Sequence, residues 1–560
     1  MMRTYKQGAG QARGRFSRRS GLRVALAGAG TAALAAACGK SSGGKQTGAP
    51  SGAAAGQPKA GGTAAIVETN DFFDFDPTYQ GSSLPNGDAT MLAYDTLLDF
   101  DRSPSLDWAA VVVKPRLAAK WETPDAQTYT FHLQPNVKFA NTAPVNGRAF
   151  TSADVKWTLE YLSRTGGFAN SKLPVPPYAS TLSGLENVEA PDPNTVVAHF
   201  NAPYAPFLNY LVSFSMPIIP HEIYDQDGNL HNRMAGTGPF TLDTSATQKG
   251  SQWVFNKNPD YWQQGKPYVD KIRYLVVNDF ASQRSAFQAK QLDVVWIDSD
   301  VTAANALKQA MPASTVRQVT QPSPVPVMLN MRHDVFKDLR VRQAISLAVD
   351  REEFNQVVSG GAAGWPMLAA FGLWTQDEIK QIPMMKYDPA QAKQLLAAAG
   401  YANGLSFALL DDSSMDQKSF QLLQSQLKKV GVSITLDLVD KATRSTRTNV
   451  NDFTATLLAE KDFADPDFWL YANNFSTGGS NRDGVNDPKL DALILAQRRE
   501  TDPAKRNDLI KQASRYIVDN AYYVAAYTGA RWYFNQPWLH NYTPQWVGYD
   551  WNARDLWLSR

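Results

Sequence analysis

Along residues 63–560 the apolar positions switch repeatedly between a two-residue and a three-to-four-residue period, which predicts strands and helices in alternation. Gln127-Thr128-Tyr129-Thr130-Phe131-His132-Leu133 alternates polar with apolar and is predicted as a half-buried strand, as are residues 195–200 and 432–438. Several helices carry signals at both ends. Asp388 caps one that has Pro389 at its first position, Leu395, Leu396 and Ala399 on one face, and Gly400 as a left-handed stop. Phe420, Leu423 and Leu427 keep helical spacing up to Gly431, and a strand follows at Val432. Asp338 caps a helix whose inner face is Val341, Ala344, Ile345 and Ala348. Asp350 with Glu353, and Thr151 with Asp154, have the spacing of capping boxes. Mixed order of this kind implies an α/β architecture.

The pattern before residue 63 is different. Residues 1–23 are basic, lack any acid and contain Ser17-Arg18-Arg19-Ser20-Gly21-Leu22-Arg23, which is similar to a twin-arginine export signal. Residues 24–37 are an apolar run too short to cross a ~30 Å hydrocarbon core, so residues 1–37 read as a cleaved signal. Leu34-Ala35-Ala36-Ala37 ahead of Cys38 resembles a lipobox, with the leucine one place farther out than the usual pattern. Cleavage there makes Cys38 an acylated N-terminus; cleavage nearby by an ordinary peptidase leaves it incidental. Residues 38–62, rich in Gly, Ser, Ala, Pro and Lys, form a flexible tether with an end-to-end distance of roughly 25–30 Å.

Composition narrows the function. A chain of 560 residues exceeds one hydrophobic core, so two or three lobes with a cleft between them are expected. A net charge of +2 gives no field to draw in nucleic acid. Cys38 is the sole cysteine, which excludes an intramolecular disulfide framework, a Cys-based zinc site and an iron–sulfur cluster. His221-Glu222 lacks the second histidine of a zinc protease helix, and neither a Gly-x-Ser-x-Gly elbow nor a phosphate-binding Gly-Lys-Ser/Thr loop occurs. His132 is assigned to a strand surface, His221 to a loop after Pro220, and Asp225-Gln226-Asp227-Gly228-Asn229 to a polar turn. A secreted hydrolase with paired carboxylates is the rival reading, but 53 acids single out no pair. No cofactor or metal is expected.

Leu117-Ala118-Ala119-Lys120-Trp121-Glu122, Thr128-Tyr129-Thr130-Phe131-His132-Leu133, Val137-Lys138-Phe139 and Phe150-Thr151-Ser152-Ala153-Asp154-Val155 together resemble the signature region of the family 5 extracellular solute-binding proteins. The similarity continues in order through Gly236-Thr237-Gly238-Pro239-Phe240, Asn258-Pro259-Asp260-Tyr261-Trp262 and Asn486-Asp487-Pro488-Lys489-Leu490-Asp491. That family includes dipeptide-, oligopeptide- and nickel-binding subunits of ABC importers. The resemblance implies a clamp-type periplasmic-binding-protein fold with an inserted lobe, three lobes in all. Residues 61–95, 238–320 and 535–560 make the first, 96–237 the second and 321–534 the third. It also implies a non-enzymatic extracytoplasmic protein, expected as a monomer lipid-anchored through Cys38. Such a protein captures peptide-like solutes between lobes and hands them to a membrane permease driven by separate ATPase subunits. An oligosaccharide or a metal complex is the alternative cargo.

The sharpest candidate lies in Asp462-Phe463-Ala464-Asp465-Pro466-Asp467. In peptide-binding relatives an aspartate at the place of Asp462 holds the ligand's ammonium terminus. A closed cleft strips water from a cation, whose burial costs several kcal/mol unless an anion lies close by. Asp465 is assigned a structural role at the turn before Pro466. Trp365 and Trp374, in an irregular Gly/Ala-rich stretch, and Asn330, at the end of an apolar run, are further ligand-binding candidates. Residues 474–481 either line the cleft or form a surface loop. Gly236 and Gly238 shape a crossing between lobes, and Arg340 and Arg342 sit on a solvated helix face or pair with a neighbouring acid.

Overall fold

A computed structural model of the chain describes residues 56–72, 74–78, 84–101, 112–173, 175–176, 178–321, 324–368, 373–413, 417–458, 465–543 and 552–560. The export signal, Cys38 and Asp462 lie outside the described residues. The strands fall into three larger sheets, each with its own hydrophobic core. The first has seven strands in the order Thr315–Thr320, Ala530–Asn535, Val294–Asp298, Thr63–Glu68, Lys271–Val276, Gln252–Lys257, Phe240–Leu242. Thr63–Glu68 runs parallel to both Lys271–Val276 and Val294–Asp298. Phe287, Ala304 and Leu307 of the helices Phe280–Gln288 and Val301–Ala310 pack into this sheet's core.

The second sheet is antiparallel, in the order Ala118–Glu122, Thr128–Leu133, Thr195–Phe200, Leu185–Asp192. Thr128–Leu133 and Thr195–Phe200 both bury every second residue, as their alternation requires for a sheet with one wet face. The third sheet has five strands in the order Val432–Val439, Leu405–Asp412, Ala455–Leu457, Val325–Leu329, Val524–Tyr527. Leu405–Asp412 is parallel to Val432–Val439 and to Ala455–Leu457, whereas Val325–Leu329 is antiparallel to Ala455–Leu457 and to Val524–Tyr527.

The capped helices form where their signals stand. Asp388 accepts from Gln391 N ahead of the helix Pro389–Ala398, and Gly400 takes φ +93°. Asp338 accepts from Arg340 N at the start of Leu339–Ala348. Lys418–Lys428 leads through Gly431, at φ +86°, into the strand at Val432. Gly236 and Gly238 press against the chain around residue 93: an added Cβ would lie 2.8 Å from Tyr94 Cα in one case and 2.6 Å from Tyr94 N in the other.

Four local readings differ from the structure. Asp350 accepts from Glu353 N at 3.0 Å, but Glu353 turns away and its Oε2 accepts from Gln426 Nε2 at 2.8 Å, so the box closes on one side only. His221 opens the helix His221–Asp227 rather than a loop, paired with Asp225 one turn on at 2.6 Å, and Gly228 ends it in the left-handed conformation. The polar run 225–229 is therefore mostly the end of a helix. Arg342 is buried and caps backbone instead of meeting solvent, donating to Phe336 O at 2.8 Å and Lys337 O at 3.0 Å. The tether ends early: Lys59 Nζ donates to Ser559 O at 3.2 Å, and Gly61 N to Tyr268 O at 2.8 Å. No helix among the described residues is long and apolar enough to cross a membrane.

Candidate functional site at the crossings between the first and third sheets

The chain leaves the first sheet after Thr320, enters the third at Val325, and returns between Tyr527 and Ala530. The two crossings are stitched together. Gln321 N donates to Gly529 O at 2.8 Å, Thr528 Oγ1 donates to Gln321 O, and Gln321 Nε2 donates to Asp298 Oδ1 at 3.2 Å. Arg531 Nη2 donates to the other oxygen of Asp298 at 3.0 Å. A Cβ at position 529 would stand 2.8 Å from Ser299 Oγ and against the Gln321 side chain, both of which would have to shift.

Strand direction aims both sheets at these crossings. Val325 pairs with Tyr527 at the crossing end of the third sheet, so the strands antiparallel or parallel to Val325–Leu329 can be oriented from it. The carboxyl ends of Leu405–Asp412, Val432–Val439 and Ala455–Leu457 all lie at that end. In the first sheet Asp298 pairs with Arg531, two residues from Gly529, which puts the carboxyl ends of Val294–Asp298, Thr63–Glu68 and Lys271–Val276 at the crossings too. Open α/β sheets bind ligands in the crevice outside the carboxyl ends of their strands.

Acids gather at these edges. Glu68 is 1% exposed, and burial together with Asp88 pushes its carboxyl well above the usual range. Asp411 is 0% exposed; burial pushes it up to about 6, against the pull of the Asp412 backbone and of Arg444, whose Nε stands 3.5 Å away. A region with buried carboxylates and few donors favours a cation.

Asp462 falls in a run of six residues whose two flanks are fixed. On one side Arg444 Nη2 donates to Leu457 O. On the other, Asp465 is buried, pairs with Arg506 through Nη1 at 2.9 Å, accepts from Asn209 Nδ2 at 2.7 Å and from Asp467 N at 2.8 Å. Asp467, also buried, accepts from Tyr210 OH at 2.8 Å and pairs with Arg498 at 3.1 Å. Asn209 and Tyr210 come from the second-sheet region, so these acids tie the chain after the third sheet's Ala455–Leu457 to the second sheet's core. Asp467 and its network have no motif of their own in the sequence; the clue is an acid-proline-acid run followed by two arginines at 498 and 506.

The other candidates separate. Trp365 is half-buried, its indole N–H donates to Glu352 Oε2 at 3.2 Å, and it lies two residues beyond Ala363, which packs into the first sheet's core. Trp374 packs beside Ile379 and Trp469 with Lys511 Nζ 5.0 Å from its ring centroid, and its indole N–H is buried without an acceptor. Asn330 stands at the opposite end of the third sheet from the crossings. It is 1% exposed, donates to Asn451 O at 3.1 Å and Phe453 O at 2.8 Å, and accepts from Arg332 N at 3.1 Å. That amide holds the loop before Ala455–Leu457 in place. Residues 474–481 lie at this remote end as well, with Ser476, Gly478 and Asn481 lining a cavity there.

Residues 112–481 match the family described as bacterial extracellular solute-binding proteins, family 5 Middle. The chain is 27% identical over 475 residues to di/tripeptide-binding protein 1 of Pseudomonas aeruginosa, covering 80% of this chain and 85% of that protein. It is also 27% identical over 482 residues to heme-binding protein A of Haemophilus influenzae, covering 82% and 85%. The fold superposes with a TM-score of 0.75 on the periplasmic binding protein DppA of Helicobacter pylori in complex with the peptide STSA, at 22% identity, covering 90% of this chain and 99% of that one. The chain belongs to family 5 of the bacterial extracellular solute-binding proteins, which bind solutes and do not transform them.

Proposed function

We propose that this protein captures a peptide or peptide-like solute carrying a positive charge in the cleft at the crossings and delivers it to an ABC permease. The observation that carries the reading is the convergence of carboxyl strand ends from both sheets on the crossings, together with the fixing of both flanks of the Asp462 run. A carboxylate that meets an ammonium through charge-assisted hydrogen bonds offsets the cost of desolvating it. Trp365 and Trp374 are proposed as apolar walls of the same cleft. The first lobe is assigned residues 61–95, 238–320 and 535–560, extended back to Ala530 because Ala530–Asn535 pairs in the first sheet; the second is assigned 96–237, and the third 321–529 instead of 321–534. Twin-arginine export, acylation of Cys38, a tether of residues 38–58 and action as a monomer complete the reading.

The likeness to a heme-binding protein supports a second reading, in which the cargo is a non-peptide solute held by the same clamp. Calorimetry with a panel of short peptides separates the two. Peptide binding is expected to weaken by roughly 2–5 kcal/mol in Asp462→Asn, because a buried ammonium loses its counter-charge. Equal affinity in parent and variant removes Asp462 from the site, and no affinity for any peptide turns the reading toward the other cargo.

A further inference from the structure

Residues 476–486, with Arg332, Asn449 and Asn451, line a cavity of about 560 Å³, open to solvent, at the end of the third sheet remote from the crossings. That volume is in the range of small-molecule sites. The wall is made of two guanidinium groups, carboxamides, hydroxyls and glycine backbone, with no carboxylate in it. Arg332 spends Nη1 on Arg482 O at 2.7 Å and Nη2 on Asn481 O at 3.3 Å, and Arg482 donates Nη2 to Asn449 Oδ1 at 3.1 Å. These partners are neutral. They orient the two cations without cancelling their charge, and each guanidinium keeps N–H donors to spare.

The one acid beside them does not supply the missing counter-charge. Asp483 is 6% exposed and absent from the cavity wall, and its Oδ1 has no donor. Burial pushes its carboxyl up to about 7 in spite of Arg482 and Arg332, so near neutrality much of it is uncharged. The wall itself is firm. Asn481 clasps Val485 from both sides, with Nδ2 donating to Val485 O at 2.7 Å and Oδ1 accepting from Val485 N at 3.0 Å. Gly478 lies flat on the backbone of Ala472, where a Cβ would meet the carbonyl carbon at 2.9 Å. Gly479, in contrast, has open space where a Cβ would be.

We infer that this cavity is a second binding site, apart from the interlobe cleft, for a polar solute bearing a phosphate-like oxyanion held by Arg482 and Arg332. Guanidinium groups with fixed planes and spare donors match the paired oxygens of such an anion. The carboxamides and hydroxyls around them suit the polar remainder of the solute. Because the cavity is at the far end of the sheet, it can fill whether or not the cleft is occupied.

Inorganic phosphate and vesicles containing phosphatidylglycerol are the probes, used on the full chain with Cys38→Ser so that no acyl anchor contributes. Arg482→Gln removes a cation whose only side-chain partner is the exposed Asn449, and Gly479→Glu places a carboxylate in the open space. Phosphate binding followed by ³¹P NMR is expected in the parent and weakened about tenfold or more in both variants, with unchanged thermal midpoints. Vesicle binding that both variants abolish, without phosphate binding, also supports the site and makes a lipid headgroup the source of the anion. Binding of neither probe by the parent, or equal binding by parent and variants, overturns the inference.

Discussion

Replacing Arg498 by methionine tests how the third lobe is fastened to the second. Arg498 is 5% exposed and pairs with Asp467, which is 0% exposed. Its Nη2 also donates to Tyr204 OH at 2.9 Å and Ser180 O at 3.2 Å, and its guanidinium carbon lies 3.6 Å from the Tyr471 ring centroid. Methionine keeps much of the stacking volume but removes the charge. Asp467 is then left with Tyr210 and Gln497 as donors and without its paired cation, with Arg506, which pairs with Asp465, as the remaining nearby positive charge; breaking a buried pair from one side costs about 3–5 kcal/mol. Burial already raises the Asp467 carboxyl in the intact protein, with Arg498 opposing that rise. Without Arg498 it rises further. A carboxyl raised on folding contributes stability that is complete at low pH and is lost as pH climbs through its folded value, so the deficit of the variant is expected to grow with pH, being smaller at pH 5 than at pH 8. Urea unfolding of parent and variant across that range measures it. A deficit below ~1 kcal/mol at pH 8, the size of an ordinary surface substitution, or one that does not change with pH, would refute the assignment of a buried pair.

Two further substitutions separate structure from binding. Asn330→Ala leaves the carbonyls of Asn451 and Phe453 without their donor and is expected to cost about 1–3 kcal/mol in urea unfolding, while peptide affinity measured by calorimetry stays at the parent value. Asp483→Asn removes a buried carboxyl raised to about 7, so it is expected to stabilise the protein by about 2–4 kcal/mol at pH 8, by about 1 kcal/mol at pH 5 and by little below pH 4. A stability difference that is constant with pH would mean that Asp483 is already paired.

The elements that could be read from the sequence are those whose cause is local. Asp388, Pro389 and Gly400 specify a helix within thirteen residues, and the alternation in Thr128–Leu133 needs only one wet face to become a strand. What could not be read depends on partners far along the chain. Arg342 has the spacing of a surface residue, yet it caps carbonyls of residues 336, 337 and 520 because the return of the chain after Asp519 covers it. Asn330 sits at the end of an apolar run, as a ligand residue would. Only the antiparallel pairing of Val325–Leu329 with Ala455–Leu457 shows that this is the end of the sheet away from the crossings.

The same dependence on distant partners governs the acids at 465 and 467, next to the proposed anchor Asp462. Ala455–Leu457 delivers the chain to the carboxyl edge of the third sheet, and Phe468–Asn473, a wide π-type turn, carries it away with Asp467 at its start. The chain is held firmly at residues 465–467. Asp465 and Asp467 do the holding through Arg506 and Arg498, on the neighbouring helices Pro503–Asp519 and Pro488–Arg499. Irregular π-type turns recur at functional sites because they reposition side chains at the expense of regular helix bonding. On the proposed reading, with Asp462 as anchor, cargo is set within residues 459–464 while the acids at 465 and 467 hold buried pairs, so specificity and architecture are separated by only a few positions along the chain.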